Sequence, residues 1–158
     1  MRLAFGSDHA GFAMKETLRE MVASLGHATV DCGAFSEAPS DYPDFAEAVG
    51  QAILKGEADR GILVCGSGIG ACIAANKLPG IYAGNCGDTY SAHQGVEHDR
   101  MNVLVLGARI VGIEVAKEIL QRFLQAEFTP EERHIRRTAK IRELELRYTG
   151  CDDREKNA

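Results

Sequence analysis

The chain has 158 residues, 45% of them apolar, and no low-complexity tract; that is enough to bury one good core, and it predicts a single domain over residues 1–150. A formal charge of −5, with acidic and basic residues interspersed and only residues 133–147 locally basic, argues against a nucleic-acid-binding or membrane-surface protein. No run approaches the roughly 20 apolar residues of a membrane helix, and the five cysteines form no CxxC pair, so the expectation is a cytoplasmic protein with reduced thiols.

Taken in order, Leu3-Ala-Phe5 reads as a strand that breaks at Gly6-Ser-Asp8-His9, after which Met14, Leu18, Met21, Val22 and Leu25 recur at helical spacing. Gly26 ends that helix. Residues 28–32 supply a second short strand, and 33–43 a turn-rich loop containing Asp41-Tyr-Pro43. Phe45, Val49, Ala52 and Ile53 mark a second helix, closed near Gly56. The apolar run at 62–64 has the length and type of a strand buried on both faces, and the small residues after it lead into a helix over 71–77. Leu78-Pro-Gly80 turns the chain into a fourth strand at 81–84. A short helix with a weak apolar stripe follows at 89–97, and a fifth strand at 102–106. Ile113, Ala116, Ile119, Leu120 and Phe123 define an amphipathic helix, and a final one runs from Glu131 to about Tyr148; residues 151–158 read as a frayed polar tail.

Five strands alternating with helices predict a three-layer α/β/α, Rossmann-like fold, with a five-stranded parallel sheet and an extra C-terminal helix. Ligands of such sheets bind at the carboxyl ends of the strands. That rule gathers Asp8 and His9, the segment from Cys65 to Gly70, and Arg109 onto one rim.

The stretch Cys65-Gly66-Ser67-Gly68-Ile69-Gly70 puts a thiol at the mouth of a strand-to-helix turn. Its glycines allow close approach of a ligand, and the N–H groups of the helix start point at whatever lies there, a cradle for an anion or an oxyanion. A cysteine in that position suits a base or a nucleophile near neutral pH. The same glycines match the dinucleotide fingerprint GxGxxA, but they follow the third strand rather than the first, and the next strand ends in Asn85 instead of an acidic residue. No Gly-Lys-Ser/Thr follows for a nucleotide-binding loop, and no arginine follows within a few residues for a cysteine phosphatase. Cys32, Cys72 and Cys86 read as small buried hydrophobes.

The five histidines show neither HExxH nor a zinc-site spacing, so no metal is expected. His98, in Glu97-His98-Asp99 just before the fifth strand, is either a proton-exchanging group or a solvated loop histidine. Arg133 and Arg137 are four apart and share a helix face. They either clamp a phosphate or form a solvated basic face paired with Glu131 and Glu132.

Together Asp8-His-Ala-Gly11, Asp41-Tyr-Pro-Asp44, Cys65-Gly-Ser-Gly-Ile-Gly70, Ala74-Ala-Asn-Lys77, Glu97-His98, Asn102-Val-Leu104 and Arg133-His-Ile-Arg-Arg137 resemble, in order and spacing, the type B ribose-5-phosphate isomerases and their galactose-6-phosphate isomerase relatives. The resemblance covers residues 1 to about 148. It implies an aldose–ketose interconversion on a phosphorylated sugar through an enediolate, without cofactor or metal, with ribose 5-phosphate and ribulose 5-phosphate as the expected pair. By the same resemblance Cys65 is the proton acceptor, His98 opens the furanose ring, and Gly66, Ser67, Gly68 and Gly70 hold the developing oxyanion. Asp8, His9, Tyr42 and Asp99 contact the sugar, and Arg109, Arg133 and Arg137 hold substrate, chiefly its phosphate.

The resemblance further implies a homodimer or a dimer of dimers, with His98 and Asp99 serving a neighbouring subunit's Cys65. Three positions depart from the family's common pattern: Ser67 where threonine is common, Asp99 where many members have asparagine, and Glu131-Glu132 where a glycine pair is frequent. Tetrose or hexose phosphates therefore stay open as substrates. So does a nucleotide- or sugar-phosphate-binding module without chemistry.

Overall fold

The computed structural model describes residues 1–149; the tail expected at 151–158, with Cys151, lies outside the described residues. Five strands form one all-parallel sheet in the order β2-β1-β3-β5-β4, where β1 is Arg2–Ser7, β2 Ala28–Asp31, β3 Arg60–Cys65, β4 Ala83–Asn85 and β5 Val103–Gly107. Six helices alternate with them or follow: α1 Phe12–Ser24, α2 Tyr42–Leu54, α3 Ile69–Ala75, α4 Thr89–Asp99, α5 Ile113–Gln125 and α6 Glu132–Tyr148.

Strand alternation divides the interior into two layers. Leu3, Phe5, Ile62, Val64, Leu104 and Leu106 face one side, against Leu18 and Val22 of α1, Val96 of α4 and Ile119, Leu120 and Phe123 of α5. Ala4, Leu63, Cys65, Val103 and Val105 face the other, against Ala46 and Val49 of α2 and Ala71 and Ala75 of α3. The predicted three-layer arrangement with a parallel sheet is therefore present. Among the described residues no helix is long and apolar enough to cross a membrane.

Several element boundaries differ from the expectations, and at some of them a local reason is visible. Helix α2 starts at Tyr42, because Pro43 at the head of a helix gives up an N–H that would have no partner there. Helix α3 starts at Ile69 rather than 71, since Gly68 with φ +83° makes the turn into it. Strand β4 begins at Ala83 rather than 81: the Asn102 side chain takes the Tyr82 N–H (2.8 Å) and donates to the Gly80 carbonyl (2.8 Å), in place of ladder bonds. Helix α4 extends to Asp99, so His98 lies on a helix and not in a loop.

Buried polar residues fasten the layers. Lys15 of α1 is fully buried, with Nζ 2.7 Å from Asp31 Oδ1, 3.0 Å from Glu16 Oε1 and 2.8 Å from the Ala34 carbonyl. Arg60 at the start of β3 donates to the Phe123 and Ala126 carbonyls, which closes the C-terminal end of α5.

Candidate active site

Chain order and sheet order diverge at β1, whose neighbours are β2 on one side and β3 on the other, and the carboxyl ends of β1, β3 and β5 open onto one cleft of about 370 Å³. Asp8, Tyr42, Cys65, Gly66, Ser67, Gly70, Arg109 and Ile110 line it. These come from four separate segments. Two backbone bonds, Ala108 N–H to the Cys65 carbonyl (2.8 Å) and Arg109 N–H to the Gly66 carbonyl (3.0 Å), lock the ends of β3 and β5 together.

Cys65 is 4% exposed, and its Sγ accepts the Gly68 N–H at 3.1 Å. One donor of the glycine turn thus fixes the sulfur instead of pointing into the cleft. The turn itself is held from outside. Asn85 at the end of β4 donates its amide to the Ser67 carbonyl (3.3 Å) and packs on Gly68, while Gly107 lets Ser67 approach, since a Cβ there would stand 2.6 Å from the Ser67 carbonyl oxygen. Asp8 is buried, and its Oδ1 accepts the Gly11 N–H at 3.0 Å, which orients the carboxylate at the head of α1. The Arg109 guanidinium lies over Gly66.

Tyr42 packs across Gly70, where an added Cβ would fall 2.5 Å from Cζ and 2.8 Å from the hydroxyl oxygen. Gly70→Ala is accordingly expected to push the ring into the cleft and raise KM by about tenfold, an effect inside the range of about 1–3 kcal/mol for overpacking. Steady-state kinetics and a thermal melt of the variant check this, the melt showing that the fold persists.

The remaining predicted residues lie elsewhere in the chain. Beside the cleft, His9 turns to the 33–41 loop, with Nδ1 accepting the Ser40 N–H at 3.2 Å. His98 and Asp99 lie at the end of α4; Asp99 lines a separate groove with Tyr82, Arg100 and Ile135. His98 stacks on His134 at 4.1 Å between ring centroids. Arg133 is exposed and paired with Glu131 at 2.8 Å, and Arg137 is exposed on the same helix. One chain therefore brings together Asp8, Tyr42, Arg109 and the segment Cys65 to Gly70, and leaves His98, Asp99, Arg133 and Arg137 out of their cleft.

Burial raises the Cys32 and Cys72 thiols above their ordinary value and pushes Cys86 up to about 11; Cys86 is the buried packing residue the sequence suggests, whereas Cys32 and Cys72 are half-buried at the edge of the core. Sequence reasoning missed Ile110 as a wall of the cleft and Asn85 and Gly107 as supports of the turn. The only signal for the last was a glycine at a strand end facing the Cys65 loop.

With this geometry in hand, comparisons place the chain among known proteins. The sequence model of the family described as Ribose/Galactose Isomerase matches residues 3–141. Ribose-5-phosphate isomerase B of Escherichia coli strain K12 is 41% identical over 92% of this chain and 97% of that protein. D-erythrulose-4-phosphate isomerase of Pectobacterium atrosepticum is 42% identical over 81% of this chain and 85% of that protein. The solved structure of Clostridium thermocellum ribose-5-phosphate isomerase B superposes with a TM-score of 0.91 at 42% identity, covering 94% of this chain and 99% of that one.

Proposed function

The chain belongs to the ribose/galactose isomerase family and is an aldose–ketose isomerase of a phosphorylated sugar, and we propose that its substrate pair is ribose 5-phosphate and ribulose 5-phosphate. Cys65 takes the proton from C2 of the open-chain aldose and returns it to C1, through an enediolate. The observation that carries this reading is that Cys65 lines a small cleft together with Asp8 and Arg109, which follow other strand ends, and Tyr42, which heads α2. Asp8 accepts from sugar hydroxyls and Tyr42 closes over the sugar, beside His9. The glycine turn of Gly66, Ser67, Gly68 and Gly70 serves the oxygen on which negative charge grows, and Arg109 supplies positive charge.

A single chain does not complete this cleft, and two copies supply what it lacks. His98 of a second copy opens the ring, its Asp99 accepts from sugar hydroxyls, and its Arg133 and Arg137 hold the phosphate. Support comes from the uncovered apolar side chains of α6 and α3: Ile135, Leu144 and Leu146 on one, Ile69 and Ile73 on the other, each 48 to 68% exposed. Mixing inactive Cys65→Ser and His98→Asn proteins is then expected to restore about a quarter of wild-type activity, since half the re-formed dimers are mixed and each of those has one intact site of two. Activity that stays absent after subunit exchange contradicts the shared site.

A panel of four-, five- and six-carbon aldose phosphates tests the substrate. The expected result is the highest kcat/KM on ribose 5-phosphate. Preference for a tetrose phosphate supports the second reading, which the similarity to a D-erythrulose-4-phosphate isomerase favours. Asp99 bears on this choice, because an ionised carboxylate accepts from hydroxyls and does not donate.

A further inference from the structure

Helices α4 and α6 hold a stacked pair of histidines whose hydrogen bonds fix which nitrogen carries the hydrogen. Gln94, one helical turn before His98, brings its amide Nε2 to 2.9 Å from His98 Nδ1. An amide nitrogen only donates, so Nδ1 of His98 is the acceptor and Nε2 carries the ring hydrogen. Behind it, His134 is 1% exposed, and its Nδ1–H donates to the Thr129 carbonyl at 2.9 Å. The two rings lie 4.1 Å apart at 25°, and the Thr129 N–H in turn donates to the Glu97 carbonyl at 2.9 Å, which ties the start of α6 to the end of α4. The plane of the His98 ring is set by His134 and its rotation by Gln94.

We infer that Gln94 is a positioning residue that keeps His98 in the Nε2–H form required for opening the sugar ring; this rests on the ring-opening role assigned to His98 above. In that form Nε2 is a donor. Its hydrogen bonds to the ring oxygen, which takes the electron pair of the C1–O bond as that bond breaks and ends as a hydroxyl. The C1 hydroxyl loses its proton as its own C–O bond becomes the carbonyl. One proton thus passes from O1 to the former ring oxygen through water, while Nε2–H stays on the imidazole and donates a hydrogen bond to the oxygen on which charge grows, and nothing is oxidised or reduced. With Nδ1–H instead, Nε2 would offer a lone pair to an oxygen that needs a donor.

Gln94→Glu tests this with almost no change of shape, because a carboxylate accepts where the amide donated and so demands Nδ1–H. Two-dimensional NMR of the His98 ring nitrogens should show Nε2–H in the wild type and Nδ1–H in the variant. Turnover of ribose 5-phosphate should fall by at least about tenfold in kcat, as the loss of a donor to a developing oxyanion requires. Exchange of the C1 hydrogen of ribulose 5-phosphate with solvent should stay within about twofold, since that ketose is acyclic and needs no ring opening. If Gln94→Glu loses both reactions, Gln94→Met carries the same comparison without the added charge.

An unchanged tautomer, or unchanged ribose 5-phosphate turnover beside an inactive His98→Asn, overturns the inference alone. Full ribose 5-phosphate turnover by His98→Asn overturns the ring-opening role and the inference with it.

Discussion

Cys65→Ser is expected to lower kcat by about 10²- to 10⁴-fold, the contribution of a positioned base, while leaving KM and the thermal midpoint near those of the wild type. Serine occupies nearly the same volume, and its oxygen can accept the Gly68 N–H that now reaches the sulfur at 3.1 Å, so the glycine turn keeps its shape. What it lacks is the thiol, because a hydroxyl is a far weaker acid and offers no comparable base for a carbon-bound proton. The cleft walls stay in place in the variant, because Asp8 is held by Gly11 and the Arg109 backbone by Gly66, neither through the sulfur. A loss in kcat without a loss in affinity is the signature of an interaction made only in the transition state. Turnover comparable with the wild type would remove Cys65 from the base role, and a collapse of the melting transition would make it a packing residue.

Lys15→Met is expected to cost about 3 kcal/mol of stability, near the lower end of the range for breaking a buried ion pair. The lysine is 0% exposed, and without it Asp31 loses its partner at 2.7 Å and the Ala34 carbonyl its donor at 2.8 Å. Partial exposure of Asp31, and Arg19 at 3.8 Å from it, soften the loss. For a chain of this size the melting midpoint should drop by about 6–12 °C. The damage should also reach the site. Residues 33 and 34 exchange backbone hydrogen bonds of 2.7 and 2.8 Å with Ser7, immediately before Asp8, so a loosened 33–34 segment weakens the support of the Asp8 carboxylate. Calorimetry of Lys15→Met and of Lys15→Met/Asp31→Leu separates the terms: the double variant, which strands no charge, should recover part of the loss. Equal stability of the wild type and Lys15→Met would contradict the role given to the buried lysine.

These two residues also mark how far the sequence alone could be read. Cys65 was legible because a buried-strand pattern running into three glycines leaves a thiol at a place where packing has little use for one. Asp8 and Arg109 were legible by the rule that ligands meet parallel sheets at strand ends, and both line the cleft. The strand order was not. Placing β5 between β3 and β4 depends on which strand edges meet after collapse, and no periodicity records that.

Lys15 illustrates a different limit. Lys15, Leu18 and Val22 form the buried stripe of α1, but a hydrophobicity reading passes over a lysine and starts the stripe at Met14. The partners that make its burial tolerable come from β2 and the loop after it. For the same reason Asn85 and Gln94 were invisible: an amide reveals its use only through the atom it bonds. The weak apolar stripe of α4 hides its last turn, which carries His98, while Asp88, whose side chain caps the start of that helix, is a boundary signal that sequence offers. Spacing leaves His98, Arg133 and Arg137 open between a chemical role and a solvated surface, the family resemblance chooses the first, and their separation from Cys65 within one chain fits the second copy in the proposal.

The central claim, that Cys65 moves a proton between C2 and C1 and exchanges it with solvent, is tested most directly by running ribulose 5-phosphate with the enzyme in deuterium oxide and recording the C1 hydrogens by NMR. The expected result is stereospecific incorporation of deuterium at one C1 position with the wild type and none with Cys65→Ser. Deuterium incorporation by Cys65→Ser at the wild-type rate would show another group moving the proton, and the account built on the thiol would be wrong.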